Sequence, residues 1–175
     1  MKKIMPGILH VRHDALKIFI LTAVVTGACF FTPVFEALTV TDAVENELLL
    51  CKRVKEGDLF SIRYIHSVNK SPVEDFFLIG NNHGIVLDKS VFYSFGAGVP
   101  SAPEDGGSFQ VYKDRIEVTG INRRIDDFLM FVGVTAEHRF RIKGEDILLR
   151  SIIPPQRNIR FAVEKISLFR ILLHC

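Results

Sequence analysis

His66, Ser67 and Glu74 stand close together, in Tyr64-Ile65-His66-Ser67 followed by Pro72-Val73-Glu74. On two strands joined by a short turn, an imidazole and a carboxylate can face each other, and the carboxylate then orients the ring. A general base or a metal ligand is built in that way. The plainer alternative is a hydrogen-bonded histidine at a strand end. His138, in Glu137-His138-Arg139, is a candidate second metal ligand beside His66, although nothing in the spacing brings the two together. Ser94, His66 and Glu74 supply the residue types of a hydrolase triad, but no motif fixes a nucleophile.

The most unusual local sequence is Ser94-Phe95-Gly96-Ala97-Gly98-Val99-Pro100-Ser101. Gly96 and Gly98 permit a positive φ and a close backbone approach to a ligand. Successive N–H groups in such a loop can form an anion-binding nest. The stretch is neither a Walker A loop, a dinucleotide fingerprint nor a GxSxG elbow. A tight loop without a ligand is the alternative. Glu104 and Asp105 follow as an acidic turn able to meet a cation or a basic partner. Arg123, in a mixed charged turn with Arg124, Asp126 and Asp127, has the planar fork that holds a carboxylate. The preferred reading is a ligand or contact patch of His66, Ser67, Glu74, Ser94, Gly96, Gly98, Pro100 and Arg123. The catalytic alternative is His66, Glu74 and Ser94, and the metal alternative is His66 with His138. No cofactor is expected.

The elements that must position these residues read as short strands. Residues 47–54 form a first strand. Residues 59–66 alternate with period two, and residues 72–79 complete a hairpin after Pro72, whose missing N–H is tolerated at a strand start. Further strand material lies at 85–87, 90–95, 108–112, 115–118, 128–134, 138–142, 147–151 and 159–165, with turn formers between the segments. Short strands with steady turn signals predict a mainly β domain, an antiparallel sandwich or barrel. Fifteen Phe residues and no Trp agree with β structure.

Residues 18–35 carry no charge and would span about 27 Å as a helix, close to the ~30 Å hydrocarbon core of a bilayer. Lys2, Lys3, Arg12 and Lys17 precede the run, while Glu36, Asp42, Glu45 and Glu47 follow it. The positive-inside bias then leaves the N-terminus cytoplasmic and the rest outside, as a single-pass membrane protein with one N-terminal transmembrane helix. A cleaved signal peptide or a lipoprotein signal ending at Cys29 are the alternatives, and each delivers the domain to the same side. The expected organisation is a cytoplasmic N-terminus at 1–17, an anchor at 18–38, a linker at 39–46, an extracytoplasmic β domain at 47–167 and an apolar tail at 168–175. The formal charge of +2 gives no basic stripe for nucleic acid. Cys51 and Cys175 pair only if the first and last strands are neighbours, and two partly buried free thiols are the simpler expectation.

The combination of Gly57-Asp58-Leu59-Phe60, Tyr64-Ile65-His66-Ser67-Val68, Pro72-Val73-Glu74, Ser94-Phe95-Gly96-Ala97-Gly98-Val99-Pro100 and Gly106-Gly107 resembles a bacterial family catalogued as domain of unknown function 1850. The resemblance covers about residues 48–166. It implies an N-terminal hydrophobic segment and an association with tripartite ATP-independent transporters of the TAXI type. The partners it implies are the membrane and a transporter permease or solute-binding receptor. The corresponding expectation is a non-enzymatic accessory module. A small hydrolase or a metal- or ligand-binding domain using His66 and Glu74 is the rival.

Overall fold

The computed structural model describes residues 7–96 and 107–175. A helix, α1 (Gly7–Phe31), leads into eleven strands: β1 (Pro33–Asp42), β2 (Leu48–Arg53), β3 (Leu59–Ile65), β4 (Pro72–Ile79), β5 (Ile85–Phe92), β6 (Ser108–Val111), β7 (Ile116–Ile125), β8 (Asp127–Val132), β9 (Arg139–Ile142), β10 (Glu145–Leu148) and β11 (Arg157–Ser167). A short helix, α2 (Leu168–His174), ends the chain. The strands form two antiparallel sheets. One has the order β2-β1-β11-β8 and the other the order β10-β9-β3-β4-β5-β7-β6. The mainly β expectation therefore holds in its sandwich form, and the sheets do not close into a barrel.

Phenylalanine joins the sheets. Phe60 on β3 lies opposite Phe77 on β4, and Phe161 on β11 lies opposite Phe128 on β8. Directly opposed residues share a face, so each pair presents two rings to the same interior. The four rings stack nearly parallel in a cycle: Phe60–Phe77 at 4.9 Å, Phe77–Phe128 at 5.2 Å, Phe128–Phe161 at 4.9 Å and Phe161–Phe60 at 6.3 Å between centroids. Phe140 packs edge-on against Phe60. Phe60, Phe140 and Phe161 are fully buried, so truncating any one would cost about 3–5 kcal/mol.

The N-terminal apolar run does not form the continuous anchor expected at 18–38. α1 stops at Phe31, and Pro33, which cannot donate to a helix, opens β1. Residues 33–42 are the second strand of the four-stranded sheet, paired to β2 and β11, with Ala37, Leu38 and Val40 wholly buried. The first half of the expected linker, residues 39–42, is strand and residues 43–45 turn toward β2, so strand structure begins at residue 33 rather than 47. The apolar run thus supplies α1 and only the first three residues of β1, Pro33–Phe35, while the stretch of β1 buried on both faces, residues 37–40, lies beyond Glu36. Among the described residues, no helix is long and apolar enough to cross a membrane.

The apolar tail is α2, capped at its start by Ser167, whose hydroxyl accepts from the Arg170 N–H at 3.3 Å. It lies on the outer face of the four-stranded sheet, where Ile171 packs with Phe35, Ala37, Leu48, Cys51 and Ile166. Cys51 and Cys175 are joined in a disulfide, with Cα atoms 4.6 Å apart, which corrects the expectation of two free thiols. The sequence missed this pairing because β1, the strand lying between β2 and β11, was hidden in the apolar run.

Candidate functional site

Glu74 and Asp75 are consecutive on β4 and point to opposite faces, as successive strand residues must. Glu74 lies opposite Arg63, on the outer face of the seven-stranded sheet. Its Oε1 accepts from Ser61 Oγ at 2.8 Å and from Arg141 Nη1 at 3.1 Å. Arg141 continues to Asp146 at 3.0 Å, and Arg139 also donates to Asp146 at 2.8 Å. Hydrogen bonds from Arg139, then Arg141, hold the Asp146 carboxyl below the usual range.

The expected meeting of His66 with Glu74 does not occur. The register β3–β4 sets Arg63 against Glu74, three positions from His66 and hence on the other parity. His66 Nδ1 instead accepts from the Val68 and Asn69 N–H groups of its own turn, at 3.3 and 3.4 Å. Ser67 is an exposed residue of that turn. Ser94 Oγ accepts from Ser71 Oγ at 2.7 Å. Gly96 takes φ of +126° with open space where a Cβ would stand, so conformation and not close approach explains the glycine there. Gly98 and Pro100, with Glu104 and Asp105, lie outside the described residues. The residues of the proposed triad are thus engaged separately. Among the described residues, no group of three or more His, Cys, Asp or Glu side chains could hold a metal ion.

Arg123 and His138 come together elsewhere. They line a cavity of about 290 Å³ between the sheets, with Tyr64 and Asp75 as the other polar groups. Ile62, Phe77, Leu87, Ile125, Phe128, Leu129 and Met130 supply the apolar walls. Asp75 lies between Ile62 on β3 and Ser90 on β5, on the face that carries the core. Arg123 reaches the same face through an irregularity. Pairing of β5 with β7 jumps from Lys89↔Thr119 to Leu87↔Arg123, so Gly120, Ile121 and Asn122 bulge against Asp88. Gly120 (φ +69°) and Asn122 (φ +48°) take the left-handed conformation that such a bulge needs. The bulge sets Arg123 opposite the buried Leu87.

Asp75, Tyr64 and His138 are poorly solvated, whereas Arg123 stands at the exposed rim of the cavity. Burial pushes the Asp75 carboxyl above the ordinary carboxylate range; a hydrogen bond from Ser90 and the charge of Arg123 pull it back, and the charge of Glu74 adds to the rise. Ser90 Oγ donates to Asp75 Oδ1 at 2.6 Å, and no other hydrogen bond to this carboxyl forms among the described residues. Burial, with a contribution from Asp75, pushes the Tyr64 phenol up to about 12, so it stays protonated at neutral pH. The His138 ring stacks on Tyr64 with centroids 5.6 Å apart, and burial lowers its pKa, favouring the neutral imidazole. Among the described residues its Nδ1 is buried without a hydrogen-bond partner. A concave apolar site with a few convergent polar groups and displaced pKa values has the character of a ligand pocket.

Sequence reasoning found Arg123 and His138 singly and missed Tyr64, Asp75 and Ser90. Alternation offered a signal for Asp75. Phe77, Asp75 and Val73 occupy one parity of β4, so an acidic residue stands where the core face requires an apolar one.

The molecule is therefore a two-sheet β-sandwich whose interior opens into a small, mainly apolar cavity with four polar side chains. The model of the family described as domain of unknown function DUF1850 matches residues 60–149, and the chain belongs to that family. No curated protein matches the chain, and neither does any solved structure. The matched segment contains almost all of the seven-stranded sheet, together with β8 and every residue that lines the cavity.

Proposed function

We propose that this protein is a membrane-anchored, extracytoplasmic binding module, a non-enzymatic accessory that holds a small solute beside a transporter. One observation carries the reading. Ile18, Phe19, Leu21 and Val24 on α1 are 62–71% exposed, on a helix whose contacts run to α2 through Phe30, Phe31 and Phe169. Leu172 and Leu173 of α2 are exposed as well. Apolar side chains presented all round a helix call for an apolar medium, and a bilayer supplies one. α1 is not long and apolar enough to cross a membrane by itself, so the anchoring is proposed from this exposure together with the uncharged run at 18–35. The basic residues before the uncharged run at 18–35 and the acidic ones after it favour a cytoplasmic N-terminus.

The Cys51–Cys175 disulfide supports the extracytoplasmic side, because such bonds persist in oxidising compartments. The separate engagement of His66, Glu74 and Ser94 supports binding over hydrolysis. The TAXI-type tripartite transporter is proposed from the family resemblance, with its permease or solute-binding receptor as the contact. Anchoring would raise the local concentration of the domain at the permease and strengthen a weak contact.

The test is a tagged full-length protein expressed in a bacterial host that carries such a transporter. It is expected in the carbonate-washed membrane pellet, with Cys51 and Cys175 closed to alkylation until a reductant is added. Mass spectrometry of the detergent pull-down should recover permease or receptor. Recovery in the soluble fraction with open thiols would sink the membrane reading. Membrane recovery without transporter subunits would sink the accessory role alone.

A further inference from the structure

We infer that the cavity between the sheets takes a small zwitterion with an apolar body, of the chemical class of an amino acid with an aliphatic side chain. The inference rests on reading the cavity as a binding site and is independent of the transporter link. Asp75 and Arg123 occupy neighbouring ladder rows of one inward face, the row of Asp75–Ser90 and the row of Phe77–Leu87–Arg123. Arg123 is close enough for its charge to act on Asp75, yet no hydrogen bond or salt bridge joins them among the described residues. An acid and a base on one wall, not joined to each other, match a ligand that carries the inverse pair.

A simple anion would meet Arg123 favourably and Asp75 unfavourably, and a simple amine would meet the reverse. A molecule with both charges satisfies both groups, and the single-charge analogues are rejected by repulsion as well as by lost contact. The Arg123 fork suits a carboxylate. Asp75, already bound by Ser90 at Oδ1, offers its other oxygen to an ammonium. Tyr64 contributes a phenolic donor, and Ile62, Phe77, Leu87 and Phe128 form the wall for an apolar side chain. At about 290 Å³ the cavity lies at the small end of ligand pockets, which begin near ~300 Å³, and its size excludes large solutes.

The experiment is titration calorimetry of the full-length protein, disulfide intact, in detergent micelles. The probes are L-leucine, isocaproate without the ammonium, isoamylamine without the carboxylate, and isoamyl alcohol with neither charge. Leucine is expected to bind, with each single-charge analogue weaker by roughly 10- to 100-fold, the value of one charged hydrogen bond. Asp75→Asn should abolish the preference for leucine over isocaproate. Arg123→Ala, at an exposed position, should abolish the preference over isoamylamine while leaving the Tm of the unliganded protein unchanged. Binding of isocaproate as tightly as leucine by the wild type would overturn the zwitterion assignment. If only isoamyl alcohol binds, the ligand class fails and the cavity remains a binding site. If none of the four binds, both readings fail.

Discussion

Glu74 and Asp75 are adjacent carboxylates in opposite circumstances. On the outer face, Glu74 accepts from Ser61 and Arg141 and is tied through Arg141 to Asp146 and Arg139. On the inner face, Asp75 has, among the described residues, one hydroxyl donor, an unjoined arginine across the ladder, and a carboxyl that burial makes reluctant to ionise. The first is a closed network and explains its own burial. The second leaves interactions unmade inside the protein, where they are most costly. A satisfied cluster fixes structure, whereas an under-satisfied one marks the place where a sequence accepts a local cost for function.

The comparison is broken most directly by removing each carboxylate. Glu74→Ala strands the Arg141 guanidinium and the Ser61 hydroxyl. Because Arg141 is partly exposed, the expected loss lies at the modest end for a buried pair, about 2–3 kcal/mol in urea unfolding. Asp75→Asn keeps the shape and an acceptor for Ser90, and should change stability by less than about 1 kcal/mol. Equal losses at the two positions would show that Asp75 is as much a structural group as Glu74. A Glu74→Ala, Arg141→Ala cycle sharpens the first half. Its coupling should fall in the range of about 0.5–3 kcal/mol seen for groups in one network.

That Glu74 drew notice and Asp75 did not shows what was legible in the sequence. Turn chemistry located most strands well, and residues 72–79 form β4 as expected. β1 was hidden because Pro33 interrupts an apolar run without changing its hydropathy, and the pairing of Cys51 with Cys175 was hidden with it. The site was legible residue by residue but not as an assembly. His66 and Glu74 are neighbours in the chain, and the register then places them on opposite parities. Arg123 reaches the cavity through a bulge at Gly120–Asn122 that alternation alone does not reveal. Tyr64 and Asp75 come from adjoining strands and meet His138 from a distant loop, so only the folded sheet joins them.

The pH dependence separates the two faces by sign. Hydrogen bonds from Arg139 and Arg141 hold the folded pKa of Asp146 below the ordinary carboxylate value of 3.8, so its contribution is present above that pH and is lost as pH falls. Asp75 has a folded pKa above 3.8, so its contribution is fully present below that pH and is lost as pH rises through the folded value. Asp146→Asn is therefore expected to be less stable than the wild type at neutral pH, with the difference fading in acid. Asp75→Asn should gain on the wild type as pH rises from 3.8 toward neutrality. Thermal unfolding across that range measures both, and parallel curves for the two variants would remove the distinction between the faces.

The smallest expected effect lies at His138. Among the described residues its Nδ1 is buried without a partner, while its ring stacks on Tyr64. Replacing an unpaired buried polar atom with an apolar one of similar shape removes a desolvation cost and retains the stacking. His138→Phe should therefore be neutral or stabilising by up to about 1 kcal/mol. The same operation on the outer face has the opposite sign. Ser61→Ala removes a donor from Glu74 and should cost about 1 kcal/mol. Measured together by chemical denaturation, the two substitutions ask whether polar groups are used or merely held on each side of one sheet. A loss at His138 as large as that at Ser61 would make His138 a satisfied structural residue, and the cavity would then resemble the closed network behind it.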